Sequence, residues 1–196
     1  MKKELKRKAV HLTGLMVPAI YLHFGREFTL SFLIVVLVVF TLLESVRLDI
    51  KLREEIKKAL KLYIKMEDIE RVVDEIARWH EKSRIGAHIY FVLGSLTVVW
   101  FFPDHCAGIV TVAVLSDALA SLLGRFGRVK IKGKTLEGFL AYLLSGYAIL
   151  MFFNVPYAFL IALVGALTEL FSIPPDDNFS CQVTMGLTTY LLSIAF

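Results

Sequence analysis

Two groups of residues in this chain suit phosphate chemistry. The first is a set of carboxylates in or beside long apolar runs: Glu44, Asp117, Glu137 and Glu169, followed by Asp176 and Asp177. An ionisable group at mid-bilayer costs roughly 2.5–3.5 kcal/mol even on the lenient insertion scale, so such groups usually face a polar interior. The second is the stretch Gly124-Arg-Phe-Gly-Arg-Val-Lys-Ile-Lys-Gly-Lys-Thr-Leu-Glu137-Gly138. Glycine lets backbone amides close on an anion. Lys and Arg neutralise phosphate charge. Thr135 stands where it can cap a following helix, whose N-terminal end also favours phosphate. Mg²⁺ is usually held by one or two carboxylates plus substrate phosphates. Phosphoryl transfer asks mainly for positioning and charge neutralisation, which these parts can supply. A P-loop is excluded, because five residues separate Gly127 from Gly133 where that motif has four, and no strand precedes. A plain basic loop flanking a membrane would have the same composition.

Such residues need elements to hold them. The chain has 196 residues, is 57% hydrophobic and 20% charged, and has a mean hydropathy of +0.66. Soluble domains are about 45–50% apolar. This excess excludes a soluble enzyme, and the composition also excludes a disordered chain and a collagen-like repeat. Two cysteines exclude a disulfide scaffold. Seven apolar runs approach the ~20 residues of a membrane span: Leu12–Phe24, Phe28–Val46, Ile85–Phe102, Cys106–Leu123, Leu136–Phe153, Tyr157–Ile173 and Phe179–Phe196. The expected fold is therefore all-α: a polytopic membrane protein of about seven transmembrane helices, one domain over residues 1–196. Very short connections at 25–27, 103–105 and 154–156 predict antiparallel neighbours.

Residues 49–82 carry two helical stripes, Leu52, Ile56, Leu60 and Ile64, then Ile69, Val72, Val73 and Ile76. They predict an amphipathic helical insertion at the headgroup layer between spans two and three. Grouping loops by side puts 21 of the 22 basic residues on one face. The positive-inside rule then places the N-terminus in the cytoplasm and the C-terminus outside, with the span carboxylates toward the cytoplasmic side. Cys106 and Cys181 fall at opposite ends and are read as unpaired, packed residues. Small-residue faces run beside the acids: Asp117, Ala120, Ser121 and Gly124; Gly138, Ala141, Tyr142 and Ser145; Gly165, Thr168, Glu169 and Ser172. They allow close helix approach or leave room for a ligand.

Four blocks of residues are similar to a known family. They are Arg7-Lys8-Ala-Val-His11-Leu-Thr-Gly14, Gly86-Ala-His-Ile-Tyr90-Phe-Val-Leu-Gly94, Ser116-Asp117-Ala118-Leu-Ala120-Ser121-Leu-Leu-Gly124-Arg-Phe-Gly127 running on to Lys134-Thr135-Leu-Glu137-Gly138, and Glu169-Leu-Phe-Ser with Asp176-Asp177-Asn178. The chain resembles the CTP-dependent polyprenol kinases: dolichol kinase, phytol kinase and the CTP-using diacylglycerol kinase. It looks like a compact prokaryotic or archaeal member.

The resemblance implies an integral membrane enzyme that moves the γ-phosphate of CTP, with Mg²⁺, to the hydroxyl of an isoprenoid alcohol at the cytoplasmic face. It implies that Asp117 holds Mg²⁺ or acts as base, with Glu169 beside it in the catalytic group. Arg125, Lys130, Lys132, Lys134 and Thr135 would bind the triphosphate. Glu137 and Glu169 would hold metal or orient the loop. Asp176, Asp177 and Asn178 would complete a metal or ribose site, and His11 with Arg7 and Lys8 would lie near the phosphate. The implied partners are CTP, a lipid alcohol and the bilayer, with no nucleic acid. A diacylglycerol kinase, a phosphatidate cytidylyltransferase and a non-catalytic lipid transporter or scaffold are the rival readings.

Overall fold

A computed structural model describes residues 11–48 and 85–195, with side chains at 46–48 left aside. The predicted amphipathic insertion at 49–82, and Arg7 and Lys8, lie outside the described residues. The architecture is all-α apart from one hairpin. Helix α1 is Met16–Leu48, preceded by a 3-10 turn at Thr13–Leu15. Then come α2 (Ala87–Phe101), a 3-10 turn at Pro103–His105 and α3 (Cys106–Gly124). The short strands β1 (Lys130–Ile131) and β2 (Lys134–Thr135) lead into α4 (Leu136–Phe152), α5 (Ala158–Phe171) and α6 (Asp177–Ala195).

The run assigned to α1 is two helices joined at Gly25, where φ is 76° and ψ is −175°. Only glycine adopts this backbone without strain. The contacts on either side of Gly25 give the direction of each half. His11 lies 3.2 Å from Asp117 near the end of α3, while Tyr21 donates to the Pro103 carbonyl before its start. Past the bend, Arg26 donates to the Trp100 carbonyl at the end of α2, and Glu44 accepts from the Gly86 amide before its start. The halves therefore run antiparallel, as the short 25–27 connection requires.

All seven apolar runs contain helix. Two stretches among the described residues, Thr13–Ser45 and Pro103–Gly124, are long and apolar enough to cross a membrane. The first contains the bend at Gly25, and the second is mostly buried inside the protein. The helices Ala87–Phe101, Leu136–Phe152 and Ala158–Phe171 are apolar but shorter. At about 1.5 Å per residue they reach roughly 21–26 Å, short of the ~30 Å hydrocarbon core.

Helix α3 is the axis of the bundle. Twelve of its nineteen residues are buried, including the unbroken run from Cys106 to Val114. It packs most extensively on α4, α4 packs on α5, and α6 fills the groove between α5 and α2. Glycines bring the backbones close. A Cβ at Gly146 would lie 3.2 Å from Val112, and one at Gly94 would lie 2.9 Å from the Gln182 amide nitrogen. Cys106 and Cys181 are both free and buried, as expected. Polar groups sit inside: Glu44, Ser95, Ser116, Thr168, Glu169, Ser180 and Gln182 are all buried, while Phe24, Leu42, Leu144, Phe152 and Leu191 are exposed. Gln182 illustrates how the interior is satisfied. Its amide donates to the Phe91 and Asn178 carbonyls and accepts from the Ser95 hydroxyl.

Candidate functional site

The basic stretch between α3 and α4 folds into a tight hairpin with Lys130 opposite Thr135 and Ile131 opposite Lys134. Lys132 (φ 47°) and Gly133 (φ 87°) form the two-residue connection. Both φ values are positive, which is what a type I′ turn needs to match the strand twist. Thr135 then caps α4 as expected. Its Oγ1 accepts from the Gly138 amide at 3.2 Å and donates to the Gly124 carbonyl at 3.1 Å, so one side chain joins the ends of α3 and α4. Gly124 and Gly138 allow that approach, since a Cβ at Gly124 would stand 2.9 Å from Thr135 Oγ1.

The structure departs from the anion-cradle expectation for the loop amides. Phe126 and Gly127 donate to Leu123 and Gly124, Arg128 donates to Glu137 Oε1 at 2.8 Å, and Leu136 donates to Val129. These amides satisfy the fold, because a close turn between two helices must pair its own backbone. Glu137 therefore orients the loop and does not face the other carboxylates. Of its two expected roles, metal holding and loop orientation, the geometry carries the second.

Lys134 points inward. Its ammonium donates to Glu169 Oε1 at 2.7 Å, to Asp177 Oδ2 at 3.1 Å and to the Glu169 carbonyl. That carbonyl lies in the last turn of α5, where a cation also meets the negative end of the helix. Helix α5 ends with Ser172 left-handed and with Ile173 and Ser172 donating to Thr168 and Glu169, a Schellman closure. Burial pulls the Lys134 pKa down, but the charges of Glu169 and Asp177 and the hydrogen bonds to them outweigh it. The net shift is upward from the usual lysine value.

Asp117, Tyr142, Glu169, Asp177, Asn178, Cys181 and Ala113 line one cleft of about 200 Å³. Asp117 Oδ2 faces His11 Nε2 at 3.2 Å, so the expected approach of His11 to Asp117 is present. Asp176 turns away from the cleft and caps α6. Its Oδ1 accepts from the backbone and side-chain amides of Asn178 at 2.9 and 2.7 Å. The four expected metal ligands thus separate. Asp117 and Asp177 share the cleft, while Glu137 and Asp176 are engaged in holding backbone. Among the described residues, no group of three or more His, Cys, Asp or Glu is arranged to hold a metal ion.

The other expected nucleotide contacts lie around the hairpin. Arg125 and Lys130 are exposed. Lys132 is exposed too, with its ammonium 5.1 Å from the Phe171 ring centre. Glu44 lies apart from the cleft, tied to Gly86 at 2.6 Å with His88 Nε2 at 3.9 Å. Two cleft residues escaped the sequence reading of the site. Tyr142 was visible only as a bulky member of a small-residue face, and Cys181 only as a packed thiol.

No protein-family profile and no solved structure matches the chain. The chain is similar to an uncharacterized protein of Methanocaldococcus jannaschii, 41% identical over 105 residues, covering 50% of this chain and 54% of that protein. The match therefore spans about half the length of that relative, and it assigns no activity.

Proposed function

We propose that this chain is a membrane-embedded lipid-alcohol kinase that moves the γ-phosphate of CTP to the hydroxyl of an isoprenoid alcohol at the cytoplasmic face. The observation that carries this reading is the meeting of Asp117, Glu169 and Asp177 at one cleft, latched through Lys134 to a hairpin with exposed basic side chains. The seven antiparallel helical segments are read as seven crossings, with the helix ends bearing the cleft on the basic, cytoplasmic side. Buried polar groups beneath exposed large apolar side chains support a lipid surround.

Pockets that enclose a whole ligand run about 300–1,000 Å³. A cleft of about 200 Å³ takes the reacting ends and leaves the nucleoside and the lipid tail outside. Asp177 begins α6 at the hairpin end, whereas Asp117 lies about two turns inside α3. The phosphates would thus approach along Asp177 and the basic hairpin, and the lipid hydroxyl along Asp117. Asp117 takes the hydroxyl proton as the oxygen attacks the γ-phosphorus, and the bond to the β-phosphate breaks to release CDP. The donor set suits Mg²⁺, which typically takes one or two carboxylates and completes its shell with phosphate and water. Asp117 and Asp177 would hold it, and it would neutralise phosphate charge.

The test is a panel of lipid alcohols with CTP and ATP compared, in detergent micelles with Mg²⁺. Phospholipid plus CDP is expected, and CDP-lipid plus pyrophosphate would reassign the protein as a cytidylyltransferase. Asp117→Asn should lower turnover at least about a hundredfold without preventing membrane insertion, on the scale of lost proton-transfer catalysis. A fully active Asp117→Asn enzyme sinks the mechanism.

A further inference from the structure

One group in the cleft has no part in the chemistry above. Tyr142 on α4 is completely enclosed and lines the cleft with Asp117 and Glu169. Its hydroxyl makes no hydrogen bond to any described residue. Buried hydroxyls are nearly always paired, because an unpaired one loses its bonds to water for nothing. A phenylalanine would fill the same space without that penalty. Room for the ring comes from Gly165, where a Cβ would lie 3.3 Å from Tyr142 Cε1 and 2.7 Å from Met185 Sδ. Neighbouring donors are already committed. Lys134 is held by Glu169 and Asp177, Asn178 donates to Asp176, and the Cys181 thiol faces the Gly165 carbonyl at 3.7 Å.

We infer that Tyr142 is a substrate-binding residue that donates its phenolic proton to the oxygen of an alcohol whose own proton is accepted by Asp117. Carboxylates offer only acceptors, and an alcohol needs one donor and one acceptor. Tyr142 supplies the missing donor at the same depth as Asp117, each about two turns inside its helix. The pair selects a hydroxyl-bearing lipid over its hydrocarbon analogue. This rests on the lipid-alcohol reading of the same cleft.

The test compares geranylgeraniol, its methyl ether and its deoxy hydrocarbon as competitors for a fluorescent isoprenoid probe, on the full chain in detergent. Wild type should prefer the alcohol to the hydrocarbon. Tyr142→Phe should cut that preference about five- to tenfold, the scale of one net hydrogen bond. In turnover, the variant's KM for the alcohol should rise while its KM for CTP stays. It should unfold no earlier than wild type, since no protein partner is lost. An unchanged alcohol preference in a folded Tyr142→Phe protein overturns the inference and leaves the kinase reading standing. Preferential alcohol binding through Tyr142 without phosphate transfer from any nucleotide sinks the kinase reading and leaves Tyr142 as a binding residue. The ether keeps the oxygen that accepts from Tyr142 and lacks the proton for Asp117. Wild type binding the ether no better than the hydrocarbon refutes the inference whether or not the variant folds.

Discussion

Lys134 is the residue at which the fold and the proposed chemistry are hardest to separate, and Lys134→Met separates them. The ammonium lies 2.7 Å from one Glu169 oxygen and 3.1 Å from one Asp177 oxygen. The Glu169 side chain is 9% exposed, while Lys134 and Asp177 are 26% and 25% exposed. Exposed ion pairs contribute about 0–1 kcal/mol, and removing one partner of a buried pair costs about 3–5 kcal/mol. A cluster at this depth lies between those limits, so Lys134→Met should cost about 2–3 kcal/mol. For a chain of this size that is a fall in Tm of roughly 5–10 °C. Much of the loss comes from leaving Glu169 and Asp177 as uncompensated neighbours of Asp117. Adding Glu169→Gln to Lys134→Met should therefore recover more than half of it, a coupling within the usual range of about 0.5–3 kcal/mol for contacting groups. Cys106 and Cys181 are free and buried, so a thiol-reactive fluorophore reports unfolding in detergent without any added label. If Lys134→Met melts with wild type, or Glu169→Gln fails to rescue it, the cluster does not hold the hairpin.

The pH dependence of that variant has a definite sign. The folded-state pKa of Lys134 is raised above the unfolded value of about 10.4. Its stabilisation is therefore fully present below that pH and is lost as pH rises through the folded value. The Tm gap between wild type and Lys134→Met should stay constant from about pH 7 to 9 and close only above about 10.4; a gap that already narrows between 7 and 9 contradicts the assignment. Thr135→Ala removes the cap on α4 and the bond to the Gly124 carbonyl, and should cost about 1–2 kcal/mol in thermal unfolding. Gly127→Ala would put a Cβ 2.6 Å from Thr135 Cβ. Overpacking of that kind costs about 1–3 kcal/mol, so protease cutting within the hairpin should appear at lower enzyme concentrations, and unchanged cutting would show that the contact relaxes freely.

Much of the helix arrangement was legible in the sequence. Apolar length and short connections predict every helical segment, and a three-residue connection leaves little choice but an antiparallel return. The reversal at Gly25 follows from that shortness, and the helix start at Asp177 follows from Asp176 as cap. Thr135 was readable as a cap because a hydroxyl before an apolar run has a local partner three residues on. The hairpin was not readable. Its connection is Lys132-Gly133, whereas the usual signal for such a turn is Asn-Gly or Asp-Gly, and its strands are two residues long. The inward turn of Lys134 was equally hidden. Composition does not distinguish a lysine that meets phosphate from one that meets Glu169 and Asp177, two residues far away in the chain. Tyr142 was seen as a face member, but the state of its hydroxyl depends on what α3, α5 and α6 bring around it.

The charges around the cleft then explain why a basic hairpin and an acidic interior belong together. Three carboxylates line the cleft against one ammonium, while Arg125, Lys130 and Lys132 stand exposed outside it. An anion approaching this end meets the exposed cations first. It cannot settle among the carboxylates unless a cation comes with it, because like charges at close range disfavour the ionised forms. A triphosphate carrying a divalent ion satisfies both conditions; a free phosphate or an anionic lipid head satisfies only the first. Lys134 makes this division possible. By cancelling part of the charge of Glu169 and Asp177 it fixes the hairpin over the cleft, so that the outer cations and inner carboxylates keep a set spacing. Under this argument Lys130→Gln and Lys132→Gln should weaken nucleotide capture without moving Tm, the reverse of what Lys134→Met does.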